Sequence, residues 1–456
     1  MQGCSFPSSN QTNQLNVALE NSPTSLDPRK ANDLFSMQVQ SLLYRGLFKE
    51  DKSGNIIFDL VKSYSIASNK TIIVKLKDAL WSNGERITAY DFEKNIKEAL
   101  SPGFVSTDVS PLYVIKNARK YKQGNAYEDE VKIWAKSDNT LIIELEKPSK
   151  NIAKLLTPLI FSPYRDDAYS GPYYIHSHHM TSFLTLKKNP KYNSQSSFMP
   201  QIIKFSFIND SNLCTQMFLN GELDLIGFPY SSVPSSYKKF ISEQYSTYKK
   251  DVLGIKLLSF NCKGTFKDKN MRKAFSCAIN REDIVKNITQ QSERIANKSL
   301  CNSLLNEKII FNIKDIKKNI TLIYANDENN HLIAQHIQKE LYSKLKININ
   351  LRKMELPTLW KKLIKKEYDV SLVSWFADYP DYQNIFERLT IKNHHKNHTG
   401  FNTKNFFEDT DHLLKEEFPI YPLFQWNFQI FAQSKIKNIC INSSGIVLLD
   451  KIIFNR

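Results

Sequence analysis

The sequence of 456 residues predicts an α/β fold with two lobes and one additional mixed segment. Two separated strand–helix–strand patterns indicate this class, one over residues 203–226 and the other over residues 321–351. In each pattern, apolar residues recur first at every second position, then with helical spacing, and then in a short apolar strand. That order predicts parallel strands. Because ligands of open α/β sheets bind beyond the carboxyl ends of the strands, two such lobes predict a ligand cleft between them.

The first lobe is predicted to begin with a short strand over residues 15–19, followed by a helix over about residues 31–43. Its strand–helix–strand unit opens with alternating apolar residues at 203–207. Residues 211–220 then have helical spacing, and Gly221 fits the C-terminal cap of that helix. A short apolar strand completes the unit.

The additional mixed segment covers residues 46–157. Residues 72–76 and 141–145 alternate between apolar and polar side chains, which predicts two half-buried strands. Between them, the run 88–91 resembles a capping box and predicts the start of a helix. This helix is expected to end before Pro102.

The second lobe contains the other strand–helix–strand unit. Its first strand is predicted near residues 321–324, and apolar residues at helical spacing over 333–345 predict a long helix. A return strand is expected over residues 347–351. A further helix over about residues 358–366 then leads to a strand over residues 369–374.

Composition excludes several classes of protein. No run approaches the roughly 20 apolar residues of a membrane-spanning helix, and the phosphate-binding motifs G-x-x-x-x-G-K-[ST] and G-x-G-x-x-G are absent from the sequence. The formal net charge is +16, but the lysines are dispersed and form no arginine-rich stripe, so no nucleic-acid partner is expected. The motifs H-E-x-x-H and G-x-S-x-G are also absent, so we expect neither an enzyme nor a cofactor.

The N-terminus suggests a lipid anchor. Cys4 follows a small residue and precedes a polar run, and residues 1–14 have the composition of a flexible tether. This arrangement resembles the start of a bacterial lipoprotein after removal of its signal peptide, with the lipid on Cys4. The alternative is an ordinary cysteine in a polar tail.

Short motifs occur in a characteristic order along nearly the whole chain. In chain order they are Ser25-Leu26-Asp27-Pro28, Tyr44-Arg45-Gly46-Leu47, Leu80-Trp81-Ser82-Asn83-Gly84-Glu85, Gly171-Pro172-Tyr173-Tyr174-Ile175, Asn189-Pro190-Lys191-Tyr192, Asn220-Gly221-Glu222-Leu223-Asp224, Met271-Arg272-Lys273-Ala274-Phe275 and Trp375-Phe376-Ala377-Asp378-Tyr379-Pro380-Asp381. With these motifs the chain resembles the oligopeptide- and dipeptide-binding proteins of ABC importers, family 5 of the extracellular solute-binding proteins.

The resemblance implies a periplasmic-binding-protein-like fold of class II, or cluster C. It assigns residues 15–45, 158–255 and 428–456 to lobe 1, residues 46–157 to the additional domain, and residues 256–427 to lobe 2. It also implies a monomer in the periplasm or cell envelope, joined to the membrane only through its lipid. Such a protein would capture short peptides between its lobes and deliver them to an ABC permease and its ATPase subunits. Alternative cargoes are a murein peptide, glutathione, a nickel complex or haem, and a peptidase is the remaining rival.

The resemblance also suggests the peptide-binding residues. Asp378 follows the last predicted strand, and the matching aspartate of the family binds the α-ammonium group of the peptide. The backbone of Trp375, Phe376 and Ala377 would line the peptide. The alternative role of Asp378 is an acid that caps a helix or a surface turn.

Three further residues complete the predicted site. The resemblance places Pro23 and Thr24 on the opposite lobe as a facing strand, and Tyr113 of the additional domain could pack on the ligand, although a core position suits it better. Some relatives carry an arginine six residues before the aspartate, where this chain has Leu372, so the group that binds the peptide carboxylate is left open.

Two histidine groups raise the question of a metal or haem site. His176, His178 and His179 are predicted in a turn between two strands, and His394, His395 and His398 in a polar loop. Both groups are predicted to be exposed, and no metal site is assigned to either.

Overall fold

A computed structural model of the chain describes residues 13–31, 33–68, 70–149, 151–179, 181–193, 199–289, 293–296, 319–381, 383–390, 396–402 and 416–454. The predicted lipid-bearing Cys4, the tether up to residue 12, and His394 and His395 lie outside the described residues. Within the described ranges, no helix has the length and apolar character needed to cross a membrane.

The chain divides into two compact units. Unit 1 contains residues 1–250 and 428–456, and unit 2 contains residues 251–427. The boundary between the lobes predicted from the sequence, after residue 255, lies five residues later than the boundary after residue 250. Residues 46–157 belong to unit 1 in this division, and their status as a separate domain stays a prediction.

Helices and strands are distributed throughout both units. From the N-terminus they are β1 (Gln14–Leu19), α1 (Leu34–Leu43), β2 (Phe48–Glu50), β3 (Ile56–Phe58), β4 (Val61–Ser68), β5 (Thr71–Leu76), α2 (Ala89–Leu100), α3 (Ala118–Lys122), β6 (Ile133–Ser137), β7 (Thr140–Glu144), α4 (Ile152–Leu155), β8 (Tyr173–His179), β9 (Phe183–Lys188), β10 (Ile202–Phe207), α5 (Ser211–Leu219), β11 (Leu225–Ile226), α6 (Ser235–Gln244) and β12 (Ser246–Phe260). The chain continues with α7 (Lys269–Cys277), α8 (Arg281–Asp283), β13 (Arg294–Ile295), β14 (Asn319–Ala325), α9 (Glu328–Leu345), β15 (Asn348–Met354), α10 (Leu356–Lys365), β16 (Val370–Phe376), α11 (Gln383–Thr390), β17 (Ile420–Ala432), β18 (Ile436–Lys437) and β19 (Ile453–Phe454). The chain passes between the units within β12 and β17.

The sheet of unit 1 has β1 between two parallel neighbours, β10 and β11. Since α5 connects these neighbours, the first predicted strand–helix–strand unit is confirmed. The side chain of Asp210 caps α5 by accepting from the backbone N–H groups of Asn212 and Leu213. The helix ends before Gly221, whose φ of +78° is a conformation that glycine adopts without steric cost.

A smaller sheet with the order β4-β5-β7-β6 forms within the predicted mixed segment. Helix α2 contributes Phe92 and Ile96 to the same buried core, and Trp81 is fully buried there. The predicted capping box is confirmed, because the Thr88 N–H donates to Asp91 Oδ2 at 2.7 Å and the Thr88 hydroxyl donates to the same oxygen at 3.0 Å.

In unit 2, β14 pairs in parallel with β15 on one side and with β16 on the other. β12 then pairs antiparallel with β16. Helix α9 buries Ile333, Ile337 and Leu341 against these strands, which confirms the second predicted strand–helix–strand unit.

The predicted end of β16 is wrong by two residues. The strand continues from Ser374 to Phe376, because Trp375 pairs with Ile255 and Phe376 pairs with Gly254 of β12. Pairing with the long antiparallel strand β12 therefore extends β16 through residues that the local sequence pattern placed after the strand.

Candidate functional site

The carboxyl end of β16 extends beyond its pairing with β14. The ladder between β14 and β16 ends at the pair Tyr324 and Leu372. On the other side, pairing with β12 continues through the strand end, where the Ala377 N–H donates to the Leu253 carbonyl at 2.8 Å. Among the described strands, residues 373–375 therefore have a strand partner on the β12 side only. Such an edge presents backbone N–H and C=O groups that an extended ligand can bind.

Asp378 lies two residues beyond β16, and its carboxylate forms an ion pair with Arg388 of α11. The Arg388 side chain is 4% exposed and the Asp378 side chain is 13% exposed. The Asp378 backbone N–H also donates to Oδ1 of Asn384 at 2.9 Å. Helix α11 therefore holds Asp378 through both its backbone and its carboxylate.

Sequence reasoning missed Arg388. It lies beside Leu389 and three residues after Ile385, and both of these apolar side chains are fully buried. Residues three positions apart lie on the same side of a helix, so Arg388 shares the side of Ile385. Because a guanidinium on a buried face requires a counterion, a cation in this apolar pattern is the signal that could have predicted the partnership with Asp378.

Trp375 is predicted as a site residue and is 5% exposed. Its ring meets the Trp360 ring edge-on at 5.4 Å and stacks on the His398 ring at 6.0 Å, measured between centroids. The Lys396 ammonium lies 5.7 Å from the Trp375 ring centroid. The indole nitrogen Nε1 of Trp375 is buried and makes no hydrogen bond with the described part of the chain. The side chain thus belongs to the packing of unit 2.

The prediction that the second histidine group is exposed is wrong for His398, which is 2% exposed. Nδ1 lies 3.1 Å from the Lys396 carbonyl and donates to it, so Nε2 accepts from the Ser259 hydroxyl at 2.7 Å. The Tyr368 hydroxyl donates to the His398 carbonyl at 3.0 Å. Desolvation by burial lowers the pKa of His398 to about 4. The polar local sequence gave no sign of these distant partners.

The first histidine group is exposed, as predicted, but its position is corrected. His176, His178 and His179 lie within β8 and not in a turn, because β8 continues its pairing with β9 to His179 and Phe183.

Phe376 packs in a restricted space next to the strand edge. Its ring centroid lies 6.3 Å from that of Trp426. A Cβ atom at Gly254 would lie 2.4 Å from Cδ1 of the Phe376 ring. The absence of a side chain at Gly254 therefore lets the ring lie against the β12 backbone.

Leu372, which replaces the arginine of some relatives, is 1% exposed and belongs to the core. Lys256 places a cation next to β16 in the same unit. Lys256 of β12 is buried, and its ammonium donates to Oδ1 of Asn330 and to the Ser374 hydroxyl. Burial lowers the pKa of Lys256 to about 8. Because Lys256 already has protein partners, the group that binds a ligand carboxylate stays unassigned.

The other three predicted site residues belong to unit 1. Pro23 is half-buried and Thr24 is exposed in the segment before α1. Tyr113 packs against the core of the mixed segment, and the Arg119 guanidinium lies 5.1 Å from its ring centroid. Unit 2 brings together Asp378, Trp375, Phe376 and Ala377, whereas the assignment of the unit 1 residues to the same site stays a prediction.

The fold and the features around β16 define a binding protein of the extracellular, or periplasmic, solute-binding class. The sequence pattern of the bacterial extracellular solute-binding proteins, family 5, matches residues 55–397, which is more than half of the chain. The chain therefore belongs to this family, whose members bind solutes and do not catalyse reactions.

Individual relatives extend the similarity over almost the full length. The oligopeptide-binding protein OppA of Bacillus subtilis is 25% identical over 496 aligned positions, which cover 95% of this chain and 91% of the relative. The murein tripeptide binding protein MppA of Escherichia coli has a similar structure, with a TM-score of 0.82 and 22% identity over 97% of this chain and 98% of its own. Haemophilus influenzae OppA in complex with RPPGFSPFR has a TM-score of 0.83 and 18% identity over 98% of this chain and 100% of its own. These structures confirm the predicted fold class.

Proposed function

We propose that this protein is the peptide-binding component of an ABC importer and that it delivers short peptides to a membrane permease and its ATPase subunits. The observation that carries this proposal is a largely buried carboxylate, Asp378, just beyond a strand whose edge is paired on one side only. Membership of the solute-binding family and similarity to relatives named for oligopeptide and murein tripeptide binding support it.

The strand edge accounts for broad acceptance of peptides. Residues 373–375 can pair with the backbone of an extended peptide, and Trp375, Phe376 and Ala377 are the proposed lining residues. Main-chain hydrogen bonds contribute affinity without regard to side-chain identity. A receptor that gains affinity in this way binds many sequences.

Asp378 is the proposed partner of the peptide's α-ammonium group. Arg388 contacts Oδ2, so we assign the ammonium to the other carboxylate oxygen, Oδ1. The Arg388 guanidinium fixes the orientation of the carboxylate, so the acceptor is in place before the ligand arrives. A charge-assisted hydrogen bond of this kind contributes about 1.5 to 3 kcal/mol.

Incubating the purified protein with a mixed pool of tri- to pentapeptides tests the proposal. We expect intact peptides to be retained through gel filtration, to be identified by mass spectrometry, and to raise the melting temperature. Peptides cleaved during incubation would indicate a peptidase. Failure of every peptide in the pool to bind or stabilise the protein would contradict the proposal.

The proposal includes lipid attachment at Cys4 and anchoring at the cell envelope. Its support is the small residue before Cys4 and the polar run after it. We expect the native protein, extracted from its own membrane fraction, to carry the added mass of acyl groups on Cys4, measured on the peptide that contains this residue. A Cys4→Ser variant should lose both the added mass and the membrane association, and a native protein without added mass at Cys4 would contradict this part of the proposal.

A further inference from the structure

Unit 2 contains a second cluster of polar groups, on elements that do not carry Asp378. Asp283 ends α8, and His336 and Glu340 lie on α9. The candidate ligand atoms of these three side chains all lie within 4.8 Å of one another. His336 and Glu340 are four residues apart, so they project from the same face of the helix.

The imidazole nitrogen in this cluster lacks a partner suited to it. Nε2 of His336 is buried and makes no hydrogen bond within the described ranges, although Glu340 Oε2 lies 3.3 Å away. A buried polar atom without a hydrogen bond is unfavourable. The side chains of His336 and Glu340 are only 21% and 12% exposed, so water reaches the cluster poorly.

Asn280 connects the Glu340 carboxylate to the backbone of Asp283. Its backbone N–H donates to Glu340 Oε2 at 2.5 Å, and its side-chain oxygen accepts from the Asp283 N–H at 3.2 Å. Outer hydrogen bonds of this kind orient metal ligands and increase metal affinity. A turn of π-helix, Ile284–Ile288, follows α8 directly, and such turns are frequent at functional sites.

We propose that Asp283, His336 and Glu340 bind a divalent transition-metal ion, with Zn²⁺ as the best match. Imidazole and carboxylate ligands suit zinc, whose ligand atoms at about 2.0–2.2 Å in tetrahedral geometry stand about 3.3–3.6 Å apart. The measured separation of His336 Nε2 and Glu340 Oε2, 3.3 Å, falls in that range. The ion would satisfy the buried imidazole, connect α8 to α9 and leave a fourth position for water.

Lys344 is the competitor for this ion. Its ammonium lies 3.0 Å from Glu340 Oε1 and also donates to the Ala278 carbonyl at 2.7 Å. The lysine is 47% exposed and touches the oxygen of Glu340 that His336 does not face. It therefore neutralises part of the charge without occupying the proposed position of the metal.

Hydrogen exchange with mass spectrometry tests the site in the full-length protein after treatment with a chelator. Adding Zn²⁺ should slow exchange in peptides that cover residues 280–288 and 336–345. His336→Ala should abolish this protection or shift its zinc dependence by about tenfold or more. Glu340→Gln, which keeps the shape of the side chain, should do the same. Unchanged exchange at β14 without zinc serves as the folding control for both variants.

Two controls separate this site from other histidines. His331→Gln changes a histidine of the same helix whose Nδ1 lies 2.7 Å from the Tyr324 hydroxyl, and it should keep the zinc protection. A triple variant of His176, His178 and His179 to glutamine removes the exposed histidines of β8 and should also keep it. Exchange in the two segments that does not respond to Zn²⁺, or protection that persists in both His336→Ala and Glu340→Gln, would overturn the proposal.

Discussion

Replacing Arg388 with methionine should lower the free energy of unfolding of unit 2 by about 3 to 5 kcal/mol. The substitution keeps an unbranched side chain that can pack in the same place but leaves the Asp378 carboxylate, 13% exposed, without its countercharge. Breaking one partner of a buried pair costs more than the pair contributes, because the remaining charge stays desolvated. Denaturant unfolding, read by hydrogen exchange of peptides from β16, measures the change within unit 2 even if the two units unfold separately.

The matched control is Arg294→Met in the same unit. Arg294 forms an ion pair with Asp251 at 2.7 Å but is 72% exposed, so its loss should cost less than about 1 kcal/mol. The double variant Arg388→Met with Asp378→Asn should regain much of the lost stability, because it removes both charges. Equal and small effects of Arg388→Met and Arg294→Met would contradict a buried ion pair.

Acidification from pH 7 to pH 4 should remove about 3 kcal/mol of stability through His398 alone. Burial lowers its pKa to about 4 in the folded protein, whereas the unfolded chain has the ordinary value of about 6.5. Between these values the unfolded state binds a proton that the folded state does not bind. Stability is therefore unaffected above about pH 6.5 and falls as the pH decreases toward 4.

His398→Gln isolates this contribution, since glutamine does not titrate. The variant should be less stable than the wild type at pH 7, and the difference should shrink by about 3 kcal/mol by pH 4. His176→Gln, at an exposed position of β8, should leave the pH dependence of the wild type unchanged. A difference between wild type and His398→Gln that stays constant from pH 7 to pH 4 would show that burial of a neutral imidazole is not the cause.

Periodicity predicted the elements whose residues carry their own local signal. The apolar face Ile333, Ile337 and Leu341 specified α9, and the alternation in the first unit specified β10. Both patterns arise because each element buries one face, so the spacing of its apolar residues indicates the type of element. The end of β16 lacked such a signal, since its last two residues are defined by the partner strand β12.

Tertiary partners account for what the site analysis missed. His398 lies in a polar stretch, yet its ring contacts Trp375 and Ser259, which are distant along the chain. Arg388 follows Asp378 by ten residues, and the formation of helix α11, which carries Arg388, brings the two charges together. Such contacts depend on the folded arrangement and not on neighbouring residues.

Several motifs that indicate the family have structural roles. The Arg272 side chain, 2% exposed, donates to the Phe266 and Lys267 carbonyls. Asp224, fully buried, accepts from the Asn16 N–H at 2.7 Å. These motifs therefore predicted the correct family because they specify its fold.

The proposed role of the carboxylate beyond β16 is to bind the positively charged amino terminus of a peptide. A change of Asp378 would also leave the Arg388 guanidinium without its counterion. The test therefore changes the ligand and keeps the protein intact. Calorimetric titration should compare one tri- to pentapeptide library with its N-acetylated counterpart on the wild-type protein. Acetylation should weaken binding by about ten- to a hundredfold; equally tight binding of both libraries would contradict the proposed role of Asp378.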